Sequence, residues 1–137
     1  MLAQPADHSE RFGERYILTG APAQLAVERE ALGADYQGNG YTTLAQADEL
    51  GRLCGLQPGR VLADVGAGCG WPGLYLAGRH GCRTVSIDRV MEGVEVAARR
   101  ARSEGLSETS LAVVGDAEFL PLRPSSVDAV IHTDLTC

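Results

Sequence analysis

Short apolar runs recur along the second half of the chain, and each predicts a buried β-strand. The run VLADV at Val61–Val65 has apolar residues at nearly every position, which is typical of a strand covered on both faces of a parallel sheet. Similar runs predict strands at Thr84–Asp88, Leu111–Val114 and Val127–Thr133. These four segments are the candidates for a central sheet.

Helical spacing of apolar residues predicts helices before the first strand and between the strands. One helix covers Pro22–Leu32, where a proline suits the first turn and Gly33 follows the last. A second helix begins after a threonine cap and ends at Gly55. The helices that connect the strands are predicted at Pro72–Arg79 and Val90–Glu104.

The order of these elements predicts the fold class. Strand and helix alternate from Val61 onward, which indicates right-handed crossovers and an α/β, Rossmann-like parallel sheet with helices on both faces. We divide the chain into an N-terminal helical segment, residues 1–56, and an α/β core, residues 57–137. A fourth strand beside the first would leave one apolar edge unpaired, so we expect a chain that is cut short there.

Composition and charge narrow the partners that the chain could bind. With 137 residues and 45% hydrophobic content, the chain fits one soluble globular domain. Its net charge of -6 and isoelectric point near 5.0 argue against a nucleic-acid surface, because phosphates require clustered basic residues. A small cationic or zwitterionic ligand is easier to accommodate.

The chain contains no lysine, since all twelve basic residues are arginines. This absence excludes the P-loop lysine and Schiff-base chemistry. The four cysteines, Cys54, Cys69, Cys82 and Cys137, form neither a CxxC pair nor a cluster with histidine, so we expect no metal site and no disulfide framework.

No targeting or spanning segment is recognised in the sequence. No charged leader with an apolar core opens the chain, and no apolar run approaches the roughly 20 residues that cross a bilayer. We therefore expect a cytoplasmic protein that does not contact a membrane.

The glycine cluster that follows the first predicted strand is the main candidate for a ligand site. A dinucleotide fold requires G-x-G-x-x-G directly after the strand. Counted from Gly66, the third glycine of that pattern would fall on Trp71. The literal pattern is recovered only two residues later, which places Pro72 inside the turn. A dinucleotide site is therefore a poor fit.

Charge near the glycine cluster also disfavours a pyrophosphate. Asp64 lies two residues before the first glycine, and no arginine occurs between Val61 and Gly78. An aspartate repels an anion but suits an ammonium or a sulfonium, while the amides of the turn could bind a carboxylate. S-adenosylmethionine carries all three groups.

These residues resemble the class I S-adenosylmethionine-dependent methyltransferases, in particular the small-molecule branch related to quinone biosynthesis. The resemblance extends from Gln57 to about Asp134. Its first motif, acid-x-Gly-x-Gly-x-Gly, is matched by Asp64, Gly66, Gly68 and Gly70. The later motifs follow in the same order: Asp88 at the end of the second strand, the segment Gly115–Pro121, and the strand Val127–Val130.

The resemblance implies a strand order of 3-2-1-4 and a set of cofactor contacts. Gly66, Gly68 and Gly70 would let the backbone approach the methionyl part of the cofactor, with Asp64 near its amino group. Asp88 would accept hydrogen bonds from the ribose hydroxyls. The adenine would be bound by Asp116 and Ala117, and His132, Thr133 and Asp134 would line the methyl-transfer centre.

Several of these residues also have a purely structural interpretation. Asp88 could cap the following helix, and Asp116 could form a local Asx turn. His132 is a weak candidate for a general base, because a single histidine after an apolar strand is more often packed or solvated. Tyr36 and Tyr41 could belong to a lid over the cofactor or pack on the first helices.

The sequence thus predicts methyl transfer from S-adenosylmethionine to a small-molecule acceptor. Positioning of the reactants can supply much of the rate, so no dedicated catalytic residue is required. Two alternatives remain open: an NAD(P)-binding oxidoreductase domain and a non-catalytic module that only binds the cofactor. The sequence does not predict the oligomeric state.

Overall fold

A parallel sheet forms the centre of the computed structural model, which describes residues 8–38 and 40–134. Within these residues the sheet has four strands: β1 Val61–Val65, β2 Arg83–Asp88, β3 Ser110–Val114 and β4 Ala129–Ile131. Their order is β3-β2-β1-β4, and every pairing is parallel. The predicted Rossmann-like fold class and the strand order 3-2-1-4 are therefore confirmed.

The fourth strand is shorter than the predicted Val127–Thr133 because a side chain replaces backbone pairing at its start. The Asp128 N–H donates to the Val61 carbonyl over 2.8 Å, and the Val61 N–H donates to Asp128 Oδ2 over 2.8 Å. The ladder begins one residue later, where Ala129 pairs with Leu62.

The described residues also contain five helices: α1 His8–Leu18, α2 Pro22–Leu32, α3 Leu44–Leu53, α4 Gly73–His80 and α5 Met91–Ser103. The bounds of α2 match the prediction, and Gly33 ends it in the left-handed conformation with φ 79°. A capping box begins α3, in which Thr43 and Gln46 satisfy each other's backbone amides. Of the two threonines considered, Thr43 is the cap.

The two crossover helices pack together on one face of the sheet. Leu74 of α4 contacts Ala97 and Ala101 of α5, and Ala112 of β3 packs against the same cluster. The opposite face carries Leu111 and Val130, which keep 63% and 52% of their surface exposed. Helix α1 packs against α5, and α3 packs against α4. Helices α1 and α3 thus lie on the helical side of the core, and the second face, which the sequence predicted to be covered by helices as well, carries exposed Leu111 and Val130 in the described part of the chain.

The side chain of Leu76 lies in the main hydrophobic cluster of the protein. It is fully buried on α4, between Leu62 of β1 and Ile131 of β4. Cys82 belongs to the same cluster, and both Cys82 and Cys69 are buried free thiols, while Cys54 is half-buried. Cys137 lies outside the described residues.

No helix within residues 8–38 and 40–134 combines the length and the hydropathy that a membrane crossing demands.

Leu76→Ala is expected to lower the free energy of unfolding by about 2 to 5 kcal/mol, because it opens a cavity between α4 and the sheet. Leu53→Ala on α3 is the matched control, since Leu53 is 66% exposed and should change stability by less than about 0.5 kcal/mol. Urea denaturation of both variants measures the difference. Equal losses in the two variants would contradict the packing described here.

Candidate cofactor site

The glycine turn after β1 is bound to the end of β2 by its own amides. The Gly66 and Ala67 N–H groups both donate to the Ile87 carbonyl, over 2.8 and 3.1 Å, and the Gly70 N–H donates to Ala67 over 2.8 Å. The three predicted glycines, Gly66, Gly68 and Gly70, have φ values of 73°, 51° and 98°. The left-handed backbone explains why glycine occurs at all three positions.

Close packing around the turn adds a second requirement for glycine. A Cβ at Gly70 would lie 2.5 Å from Leu74 Cδ1, and one at Gly68 would lie 2.9 Å from the Tyr16 hydroxyl. On α5, a Cβ at Gly93 would lie 3.0 Å from the Gly68 carbonyl oxygen. A side chain of α1 and the backbone of α5 therefore pack against the turn from outside. This packing restricts the conformation of the turn.

The carboxylate of Asp88, at the end of β2, connects the turn to the next helix. Its Oδ2 accepts the Gly68 N–H over 2.8 Å, and its Oδ1 accepts the Val90 N–H over 2.9 Å. The side chain is 8% exposed. Both interpretations of Asp88 thus have a structural basis, because it holds the start of α5 and still reaches the surface of a cavity.

That cavity lies at the carboxyl ends of β1 and β2 and has a volume of ≈ 360 Å³. Its volume falls within the range of small-molecule sites in proteins. Among the predicted site residues, four line it together: Gly66, Gly68, Asp88 and Ala117. Thr133 and Asp134, which follow β4, line it as well. The carboxyl edge of a parallel sheet is where such folds bind ligands.

Four other predicted residues do not line the cavity. Gly70 and Asp64 are buried behind the turn. Asp116 forms a local Asx turn, since its Oδ1 accepts the Glu118 N–H over 2.9 Å. His132 is exposed beside the end of β4. The structure therefore brings the glycines, the strand-end acid and Ala117 together, and it leaves His132 apart from them.

Residues of the N-terminal segment form the other wall of the cavity, and the sequence indicated only Tyr41 among them, as a candidate lid residue. They are Phe12, Arg15 and Tyr16 of α1 and Gly38, Gly40 and Tyr41 of the following loop. The four-residue spacing of Phe12 and Tyr16, whose ring centroids lie 6.1 Å apart, was the one local signal for this face of α1.

Residues 36–38 and 40–42, here called the lid, are fixed at their C-terminal end by Asp134. Asp134 Oδ2 accepts the Tyr41 N–H over 2.9 Å and both the N–H and the hydroxyl of Thr42, over 3.3 and 3.0 Å. The Trp71 indole N–H donates to the Thr42 carbonyl over 2.9 Å. The lid is thereby attached to the end of β4 and to the glycine turn.

The N-terminal end of the lid is held by the buried Glu28. Its Oε1 accepts the N–H groups of Tyr36 and Gly38, over 2.9 and 3.1 Å, while burial raises the pKa of this carboxyl. The Tyr36 ring packs on Trp71, with centroids 5.0 Å apart, and burial raises the Tyr36 pKa to about 12. Tyr36 is thus a packing residue, whereas Tyr41 is 80% exposed and lines the cavity.

Asp64 is fully buried beneath the turn, where it holds the start of α4. Its Oδ2 accepts the Gly73 N–H over 2.9 Å, and its Oδ1 has no hydrogen-bond partner in the described part of the chain. Burial raises the Asp64 pKa to about 7 against the lowering effect of the Gly73 N–H, and the negative charge of Asp88 raises it further.

This raised pKa predicts a pH dependence of stability. The carboxyl ionises near pH 4 in the unfolded chain and near pH 7 in the folded protein, so its stabilising contribution is complete below pH 4 and is lost as the pH rises to 7. The slope in that window is about 1.4 kcal/mol per pH unit. Asp64→Asn, which cannot ionise, should abolish this component.

Urea unfolding of the wild-type protein and of Asp64→Asn between pH 4 and 8 measures the difference at each pH. We expect the free energy of unfolding of the wild-type protein to fall relative to that of the variant as the pH rises to about 7. Above pH 7 the difference between the two proteins should stay constant. A difference that is constant across the whole range would show that Asp64 titrates normally in the folded state.

The parallel sheet, the glycine turn and the acid at the end of β2 define a Rossmann-like α/β protein with a cofactor-type cavity. Residues 62–137, more than half of the chain, match the sequence profile of the family described as "Methyltransferase domain". The chain therefore belongs to the methyltransferase domain family.

A curated relative is similar to part of the chain. The malonyl-[acyl-carrier protein] O-methyltransferase of Geobacter sulfurreducens is 40% identical over 80 residues, which are 58% of this chain and 28% of that protein. The chain thus spans well under two thirds of the length of this relative.

Solved structures of methyltransferases are also similar. An S-adenosylmethionine-dependent methyltransferase from Thiobacillus denitrificans, in complex with S-adenosyl-L-homocysteine, is 28% identical with a TM-score of 0.58, over 66% of this chain and 36% of that one. An RNA methyltransferase from Salinibacter ruber, also in complex with S-adenosyl-L-homocysteine, is 25% identical with a TM-score of 0.61, over 66% of this chain and 58% of that one.

Proposed function

We propose that the chain binds S-adenosylmethionine in the cavity at the carboxyl ends of β1 and β2, as part of an enzyme that methylates a small-molecule acceptor. The observation that carries this proposal is the position of Asp88, whose carboxylate lines the cavity beside Gly66 and Gly68. Membership in the methyltransferase domain family supports it. So do the S-adenosylhomocysteine complexes of similar structures.

The residues around the cavity fit the parts of this cofactor. Each Asp88 oxygen accepts one backbone N–H, and a carboxylate oxygen can accept a second hydrogen bond, so both can still bind ribose hydroxyls. Ala117 lies on the cavity wall, where its exposed backbone is available to an adenine edge. We therefore assign the nucleoside to the side of the cavity formed by Asp88 and Ala117, and we keep Asp116, which adjoins Ala117 outside the lining, as a candidate adenine contact.

We assign the methionyl part to the side formed by the glycine turn and the lid. Gly66 and Gly68 have no side chain to fill the cavity, and Gly38 and Gly40 of the lid are equally small. Asp88 on the wall favours a cationic ligand, and Asp64 adds to this preference from behind the turn to the extent that it is ionised. This potential suits the ammonium and the sulfonium of the cofactor.

When bound, S-adenosylmethionine supplies a methyl group that is already activated on its sulfonium. The residues of this chain then have to bind the cofactor, orient it and exclude water. Tyr41 of the lid and Trp71 beside it line the cavity and provide apolar surface for that purpose. We assign no general base, because the exposed His132 does not border the cavity.

The class of acceptor is inferred from the net charge and from a relative, and the location of the protein from its sequence. The net charge of -6 supports a small-molecule acceptor over a nucleic acid, and the Geobacter relative is named for a malonyl substrate on a carrier protein. We place the protein in the cytoplasm, away from membranes. We also retain the boundary between residues 1–56 and 57–137, which lies close to where the family match begins.

Calorimetric titration with S-adenosylmethionine, S-adenosylhomocysteine and NAD tests the proposal and separates it from both alternatives. We expect binding of the first two ligands and none of NAD. NAD binding without a response to the other two would support an oxidoreductase domain and contradict our proposal. Cofactor binding with no methyl transfer to any of a panel of oxygen, nitrogen, carbon and sulfur acceptors would favour a non-catalytic module.

Asp88→Ala is expected to weaken S-adenosylhomocysteine binding, because charge-assisted hydrogen bonds worth about 1.5 to 3 kcal/mol each are removed. Titration against the 2′-deoxyribose analogue separates the ribose contact from the structural role of Asp88. The wild-type protein should prefer the ribose form, and the variant should lose that preference.

Asp35→Ala is the control, since Asp35 forms an exposed ion pair with Arg29 outside the cavity. It should leave the affinity for both ligands unchanged. Equal affinity of the wild-type protein for the ribose and deoxyribose forms would show that Asp88 does not bind the ribose.

A further inference from the structure

Four amides of the glycine turn already donate within the chain. The N–H groups of Gly66 and Ala67 donate to Ile87, that of Gly68 donates to Asp88, and that of Gly70 donates to Ala67. The sequence suggested these amides as the partners of a ligand carboxylate, but an amide N–H makes one good hydrogen bond at a time. These four amides are therefore not free for a ligand carboxylate, which makes a charged side chain on the cavity wall the stronger donor for it.

Helix α1 presents Arg15 to the same cavity. The neighbouring Tyr16 ring is buried against Val90, and Gly13 lies so close to α5 that a Cβ there would be 2.8 Å from Glu92 Cδ. This packing fixes which face of α1 is turned toward the core. In this orientation of α1, Arg15 lines the cavity, and its side chain remains exposed to solvent.

Four charged residues line the cavity: Arg15, Asp88, Arg89 and Asp134. The Arg89 Nε lies 3.8 Å from Asp116 Oδ2, so this guanidinium already has a carboxylate beside it. Arg15 takes part in none of the salt bridges among residues 8–38 and 40–134, and its guanidinium carbon lies 6.0 Å from the centre of the Phe12 ring. It is the lining arginine whose guanidinium has no carboxylate partner in the described residues.

The position of Arg15 indicates which end of the ligand it meets. Arg15 also borders a neighbouring cavity of ≈ 440 Å³ together with Gly38, Gly40 and Tyr41 of the lid. Asp88 and Ala117 line the cavity of ≈ 360 Å³ but not this neighbouring one. Arg15 therefore lies on the lid side, where we placed the methionyl part of the cofactor.

We infer that Arg15 binds the α-carboxylate of the methionyl group, an inference that rests on the proposed cofactor. A guanidinium can donate two parallel N–H groups to one carboxylate, which fixes its orientation as well as its charge. Arg15 lies outside residues 62–137, the part that matches the methyltransferase domain family. The N-terminal segment thus contributes a charged cofactor contact of its own.

A comparison of two ligands tests this contact. S-adenosylhomocysteine carries the α-carboxylate, whereas 5′-methylthioadenosine has the same nucleoside and sulfur but no amino-acid group. In calorimetric titrations, Arg15→Gln should weaken S-adenosylhomocysteine binding about 10- to 100-fold and leave 5′-methylthioadenosine binding within about twofold. Arg15→Lys, which keeps the charge but loses the paired donors, should give an intermediate loss.

The matched control is Arg11→Gln, an exposed arginine on the same helix that does not border the cavity. It should bind both ligands as the wild-type protein does. Unchanged S-adenosylhomocysteine affinity in Arg15→Gln, or an equal loss for both ligands, would overturn the role of Arg15 while leaving the proposed cofactor intact. A wild-type protein that binds neither ligand would overturn the proposed cofactor and this inference together.

Discussion

The site depends on one carboxylate that joins three elements. Asp88 ends β2, accepts the Gly68 N–H of the turn after β1, and accepts the Val90 N–H that precedes α5. Two backbone donors that would otherwise be buried without partners are satisfied by this one side chain. The turn, the strand end and the helix start are thereby held in one arrangement around the cavity.

The same constraint explains why the turn is poor in side chains and yet rigid. A Cβ at Gly93 of α5 would meet the Gly68 backbone, and one at Gly68 would meet the Tyr16 ring. Gly70 is restricted in the same way by Leu74. The glycines are therefore set by packing as much as by the ligand. Their own amides already donate within the chain, so we assign recognition of a charged ligand mainly to side chains around the turn.

Those side chains come largely from the N-terminal segment. Helix α1 supplies one wall, and the lid is fixed at both ends by carboxylates, the buried Glu28 at the start and the exposed Asp134 at the end. Because Trp71 donates to the lid and belongs to the turn region, the lid and the turn are coupled directly. A site of this kind requires both the N-terminal segment and the α/β core.

The sequence alone determined the sheet and the centre of the site, because both depend on local patterns. Apolar runs, helix stops at glycine and the motif from Asp64 to Gly70 are read within a few residues. They predicted the strands and the helices, and the family resemblance that the motif carries implied the strand order and the place of Asp88. Only the tertiary structure decided the other wall. The contact of Thr42 with Asp134 spans 92 positions, and the approach of Arg15 to the cavity depends on how α1 packs on α5. No local period encodes such distant pairings, since they arise when separate hydrophobic faces are buried against each other.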